Sequence, residues 1–296
     1  MISRRVFLAA LPAGFVTASA PLTTQTPSGN VSGVKIGCQT NAWRINPADF
    51  SQLLGVLAKL KDLGFEGFET GFRNVQDQFA NPKPAREQIE KTGLRLFGVH
   101  ILLDQYDMQT QIAPFDLIRK VADGAASLGA QYLILSGGGL NKYSRVDIES
   151  LKRKVGGLNE AGKYSKSKGV KLAYHNHDVE VADKGLEIEG LFRLTDPTVV
   201  DFLIDCGSAY RVKMNVPQFF ARYHTRIIGL HLRDFKNYEQ VTLGQGDFPL
   251  NDLAAEIKRL NWTGWVLNEE ERLSGEKPGD KAVGPARQAL RQAFGK

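Results

Sequence analysis

The chain has 296 residues, 42% of them hydrophobic and 24% charged, with 30 glycines and 12 prolines, a globular composition that excludes collagen-like, disordered and membrane-spanning classes. Lys plus Arg exceed Asp plus Glu by 38 to 32, a formal charge of +6. With no Lys/Arg run beside it, that excess does not describe a nucleic-acid groove. Two cysteines exclude a disulfide framework.

The first element is an address. Ser3-Arg4-Arg5-Val6-Phe7-Leu8 opens an apolar stretch to residue 20 that is interrupted by Pro12 and Gly14. At about 1.5 Å per residue this stretch reaches roughly 22 Å, short of a hydrocarbon core about 30 Å thick. Ala18-Ser19-Ala20 supplies the small residues of a cleavage site. The segment resembles the twin-arginine export signal of bacteria, which implies export across the membrane in a folded state and a periplasmic location. Residues 1–20 are thus expected to be the signal, and residues 21–33, rich in Thr, Ser, Gly and Pro, a flexible linker. No Cys lies near the cut, so no stable membrane anchor is expected after processing.

From residue 34 onward the pattern is rhythmic. Amphipathic segments end at Gly64, Gly93, Gly129 and Gly169, a residue that tolerates the left-handed conformation closing a helix. Each is followed by an apolar run, over 65–69, 94–100, 130–136 and 170–175. Similar runs cover 34–40, 199–205, 226–232 and 264–269. Tyr132-Leu133-Ile134-Leu135 is apolar on both faces, as strands of a buried parallel sheet are. Between them, 54–63 and 118–128 carry helical spacing. Eight strand–helix units over about 260 residues predict an α/β fold, a single (β/α)8 TIM barrel spanning 34–296. The competing doubly wound sheet would carry a Gly-rich fingerprint after its first strand, and Gly37-Cys38-Gln39-Thr40-Asn41 is not one.

In such a barrel the chemistry collects where the strands end. The predicted ends are Gln39, Asn41 and Trp43; Glu69; His100; Ser136 with Gly137–Gly139; His175 and His177 with Glu180 beyond; Asp205; His231; and Glu269. Of the five histidines, only His224 lies elsewhere, at a predicted helix end. His175, Asp205, His231 and Glu269 offer two imidazoles and two carboxylates, a donor set for one divalent cation: Mn²⁺, Zn²⁺ or Co²⁺, with Mg²⁺ admissible. Singly, each has a plainer reading; an Asp at a strand end is commonly a helix cap.

The segments GVKLAYHNHDVE (169–180), IDCG (204–207), HLRD (231–234), GQGDFP (244–249) and GWVLNE (264–269) together resemble the xylose isomerase-like sugar isomerase/epimerase superfamily, over roughly residues 34–295. That resemblance implies a divalent metal held by His175, Asp205, His231 and Glu269. Two departures stand out. Many members have Glu where this chain has His175, and many have His where it has Ser208. Both argue against a symmetric two-carboxylate mechanism.

A divalent cation polarises a sugar carbonyl while a nearby base takes the adjacent C–H proton. Glu269 is expected to serve as ligand and proton shuttle, with His177 or Glu180 as the second acid/base. Glu180 is alternatively a replacement metal ligand. His100, Trp43, Glu69 and Asn41 are expected to bind the sugar, Trp43 by offering a flat face. Asp234 is expected to orient His231 or a helix end, and Ser136–Gly139 to form a flexible turn. Isomerisation or epimerisation ranks first among reactions, elimination from a 3-keto-glycoside second, and a non-catalytic sugar-binding protein third. An apurinic-site nuclease would need more histidines and a basic groove, so no nucleic-acid partner is expected. Homo-oligomerisation is left open. Cys38 and Cys206, on non-adjacent predicted strands, are expected to be free thiols.

Overall fold

The computed structural model describes residues 33–140 and 145–296. The expected signal, residues 1–20, and the linker up to residue 32 lie outside the described residues. Among the described residues, ten strands and nine α-helices follow one another from Lys35. They are β1 (Lys35–Gln39), α1 (Phe50–Asp62), β2 (Gly67–Gly71), α2 (Pro82–Lys91), β3 (Arg95–Ile101), α3 (Phe115–Ser127), β4 (Tyr132–Ser136) and α4 (Ile148–Ser167). Then come β5 (Lys171–His175), α5 (Asp178–Leu194), β6 (Val200–Asp205), α6 (Cys206–Arg211), α7 (Val216–Tyr223) and β7 (Ile227–Leu232). The chain closes with β8 (Asp234–Lys236), β9 (Glu239–Val241), α8 (Leu250–Arg259), β10 (Trp265–Asn268) and α9 (Asp280–Phe294). Strands β1 to β7 and β10 close into an eight-stranded parallel barrel, every predicted strand among them. No helix among the described residues is long and apolar enough to cross a membrane.

Local chemistry sets the helix ends. The carboxylate of Asp49 accepts from the Ser51 N–H at the start of α1. Gly64, at φ +80°, ends it by returning its N–H to the Lys61 carbonyl, while the Phe65 N–H reaches Leu60. This is a Schellman closure, and it delivers Phe65 directly to β2. Helix α5 is interrupted at Ala182–Gly185, where Asp183, Lys184 and Gly185 are left-handed. The sequence reading had no place for β8 and β9, an antiparallel hairpin turning on Asn237 and Tyr238, both at positive φ. Two such residues make the turn that matches strand twist, without the Asn-Gly pair that would have announced it.

The main apolar core lies between barrel and helices. A second, small cluster of Phe97, Ile134, Ala173, Leu203, Trp265 and Leu267 fills the barrel itself. Side chains alternate along a strand, and just beyond this plug the next inward positions are reached. These are Gln39, Glu69, His100, Ser136, His175, Asp205, His231 and Glu269, one from each barrel strand or its last step. Beneath four of them stand glycines. A Cβ on Gly67 would lie 2.5 Å from the Trp265 ring, so the glycine makes the room that the plug fills. Cys38 and Cys206 are both free and buried.

A candidate cation site at the barrel mouth

The polar ring above the plug is densely hydrogen-bonded. His175 Nε2 lies 3.0 Å from His231 Nδ1, which is 2.8 Å from Glu269 Oε2. One donor atom from each of these three buried residues falls within 4.8 Å of the others. On its other side His231 Nε2 meets Glu69 Oε2 at 2.8 Å. Glu69 Oε1 takes His100 Nδ1 at 2.8 Å and Gln39 Nε2 at 3.0 Å. His100 Nε2 is 2.6 Å from Ser136 Oγ, itself 3.4 Å from His175 Nδ1. Two imidazole nitrogens and a carboxylate oxygen, facing one point with their far sides supported, fit a zinc-type divalent cation.

Charge is unevenly shared. Burial, reinforced by the nearby His231 and His100, keeps His175 well below the usual imidazole range. Burial also opposes charge on His231, yet Glu69 and Glu269 overrule it and hold that ring up to about 10. Burial would raise Glu69, but His231 and His100 bring it down to about 2. Arg233 and His231 likewise overcome burial to keep Glu269 well below the ordinary carboxylate range. A neutral His175 thus faces a charged His231 flanked by two carboxylates.

The remaining expected site residues fall into two groups. Asn41 donates Nδ2 to Glu269 Oε1 and Glu271 Oε2 at 2.8 and 2.9 Å, and its buried Oδ1 has no hydrogen-bond partner. Trp43 and His177 line the same cavity of about 660 Å³ as Asn41, His100, His175, Arg233 and Glu269. Trp43 is steadied through Nε1 by Asp280, and the His177 ring sits 5.4 Å from that of His175.

Others are occupied elsewhere. Asp205 is fully buried, but it caps α6 by accepting from the Ser208 N–H and Oγ at 2.9 and 2.8 Å. It also pairs with Arg233 at 3.3 Å and does not join the His–His–Glu trio. Glu180 follows Tyr174, which alternates with His175 and so points away from the barrel interior. It accepts from the Tyr174 hydroxyl at 2.6 Å and the His177 backbone N–H at 3.0 Å, near the buried Lys154. It is therefore not at the mouth. Glu69 faces the ring rather than the cavity, its two oxygens committed to His231, His100 and Gln39. Asp234 touches no histidine: it gathers the N–H groups of Phe235, Gly244, Gly246 and Phe248, so it anchors the GQGDFP segment. The Ser136–Gly139 turn is packed rather than loose, with the Gly138 N–H on Gln111 and its carbonyl on Lys154.

Sequence reasoning passed over Arg233, whose guanidinium bridges Glu269 (2.7 Å) and Asp205. The signal was present, since Arg233 is two residues after His231 and shares its face.

A closed (β/α)8 barrel with a His–His–Glu donor trio at the C-terminal ends of its strands defines a barrel with a metal-type site. The chain belongs to the xylose isomerase-like TIM barrel family, whose model matches residues 57–293. It is 25% identical to an inosose dehydratase of Geobacillus kaustophilus, covering 73% of this chain and 79% of the relative. Among solved structures it resembles the IOLI protein with a bound zinc atom (TM-score 0.72, 14% identity, 88% and 98% covered). It also resembles the Escherichia coli 3-keto-D-glucoside 4-epimerase (TM-score 0.64, 15% identity, 89% and 100% covered).

Proposed function

We propose that this chain is a divalent-cation-dependent lyase acting on a keto-sugar or keto-cyclitol. It removes the proton beside the ketone and expels an oxygen from the next carbon, as water or as an aglycone. One observation carries the proposal: His175, His231 and Glu269 converge on one point, and His175 and Glu269 line an open cavity. A bound Zn²⁺, Mn²⁺ or Co²⁺ would polarise the ketone and offset the negative charge that grows as the proton leaves.

The surrounding side chains have distinct parts to play. The unpartnered Asn41 Oδ1 is an acceptor for a substrate hydroxyl, since a buried acceptor left alone is costly. Glu269, clamped by His231, Arg233 and Asn41 and held strongly anionic, serves as ligand rather than as proton acceptor. That leaves His177, partly exposed at the cavity, to accept and return the proton. Trp43 gives the ring of the sugar an apolar wall.

Elimination is preferred to inversion because only Glu269 among carboxylates joins the donor trio, whereas inversion at carbon needs acid/base groups on both faces. The name of the Geobacillus relative, a dehydratase, supports the same order. Epimerisation or isomerisation is the second reading, favoured by His100 on β3 and His177 beyond β5 lining one cavity. The test is to incubate zinc- or manganese-loaded protein in deuterated water with a 3-keto-glucoside and with a keto-cyclitol. Elimination releases aglycone or water; epimerisation returns an isomer carrying solvent deuterium. Failure of both substrates to exchange or react with any of the cations overturns the proposal. We also propose that residues 1–20 direct export to the periplasm, to be tested by N-terminal sequencing of protein recovered from that compartment.

A further inference from the structure

Within the ring, one side chain decides the direction of every hydrogen bond. Glu69 is fully buried, and its two carboxylate oxygens are met by three nitrogens at 2.8 to 3.0 Å, those of His100 and His231 and the donor amide of Gln39. A carboxylate only accepts, so His100 must donate to it from Nδ1 and His231 from Nε2, both at 2.8 Å. His100, with its proton spent there, is an acceptor at Nε2, and Ser136 donates its hydroxyl proton to it at 2.6 Å. The Ser136 oxygen can then only accept from its remaining neighbour, His175 Nδ1, at 3.4 Å. The outcome is fixed at both ends of the chain. His175 is left with a lone pair on Nε2, and His231 with its proton anchored on Nε2. Those two choices turn His175 Nε2 and His231 Nδ1 toward each other and toward Glu269.

We infer that Glu69 and Ser136 are positioning residues for the cation. Glu69, directly at His231 and through His100 and Ser136 at His175, sets the tautomer of both imidazole ligands, which therefore bind through opposite nitrogens, Nδ1 of His231 and Nε2 of His175. Glu69 and Ser136 themselves touch neither cation nor substrate. This rests on reading the trio as a cation site.

The experiment uses the full chain with zinc as probe, and it reads binding rather than turnover. Long-range ¹H–¹⁵N spectra of the zinc-loaded protein should show the His231 proton on Nε2 and the His175 proton on Nδ1. Release of zinc into excess chelator should be at least tenfold faster in Glu69→Met, in keeping with the roughly 10–100-fold affinity losses that follow removal of such supports. Glu69→Gln keeps an acceptor oxygen for only one of the two histidines, so its release rate should fall between those of the parent and Glu69→Met. Ser136→Ala removes one hydroxyl and should show a smaller acceleration, with the change confined to the His175 resonances. Should Glu69→Met fail to fold, the tautomers of the unaltered protein and the Ser136→Ala rates still decide the matter. Both histidines bound through Nε2, or release rates unchanged in Glu69→Met and Ser136→Ala, would overturn the inference. Absence of zinc uptake by the unaltered chain would instead remove the cation reading on which it rests.

Discussion

Cation uptake should drive a proton off His231, and the size of the effect can be worked from its surroundings. In the metal-free site this imidazole lies between Glu69 and Glu269, each 2.8 Å from one of its nitrogens. Burial disfavours its charge, but the two carboxylates hold it up to about 10. Near pH 7.5 its Nδ1 therefore carries a proton, whereas a ligand must offer a lone pair. The gap between that pH and about 10 corresponds to roughly 3 kcal/mol, or two to three powers of ten in apparent affinity. Apparent zinc affinity should accordingly climb close to tenfold per pH unit from about 6.5 to about 9. Titration calorimetry in two buffers of different ionisation enthalpy should register about one proton released per zinc. A flat affinity over that range, with heats independent of buffer, would mean His231 is already neutral and would refute the charge distribution derived for the ring.

The same charge makes the chelated protein sensitive to alkali. The folded His231 value is raised above the ordinary 6.5, so its stabilisation is complete below about 6.5 and lost as pH climbs through about 10; melting temperatures that do not fall over that span would contradict this. Lys154, fully buried, joins Glu187 at 2.6 Å and Glu180 at 3.8 Å, so Lys154→Met should destabilise by about 3–5 kcal/mol. Adding Glu187→Gln should return part of that loss, and urea unfolding of the single and double variants would show whether it does. Gly67→Ala would press a methyl group against the Trp265 ring and the Arg95 carbonyl, at 2.5 and 2.6 Å; a loss of about 1–3 kcal/mol is expected, and an unchanged melting temperature would argue against the tight plug.

The barrel was legible because its signals are local and repeated: a Gly such as Gly64 closes a helix, and an apolar run follows. The strand-end histidines and Glu269 were legible for the same reason, as polar residues terminating apolar runs. What the sequence did not disclose was which way each group turns once there. Asp205 sits at the predicted place, yet the Ser208 N–H and hydroxyl claim its oxygens, a competition decided by the first turn of α6. Glu180 is near His177 along the chain but follows Tyr174 into the outer layer. Asp234 is close to His231 in sequence, but its carboxylate is drawn to three backbone N–H groups from a segment ten or more residues on. Each of these outcomes depends on partners distant in sequence or on a turn geometry that residue spacing does not encode. The β8–β9 hairpin stayed hidden because Asn237-Tyr238 lacks the glycine that marks most such turns.

Asp234 has one more consequence. By clasping Phe235, Gly244, Gly246 and Phe248 together, it isolates the hairpin tip at Asn237 and Tyr238 from the strand that carries His231. The tip is an outboard spur on a fixed root, with Tyr238 71% exposed. Foreign loops, affinity tags or fluorophores can be grafted there while the ligand strand and the start of α8 keep their places.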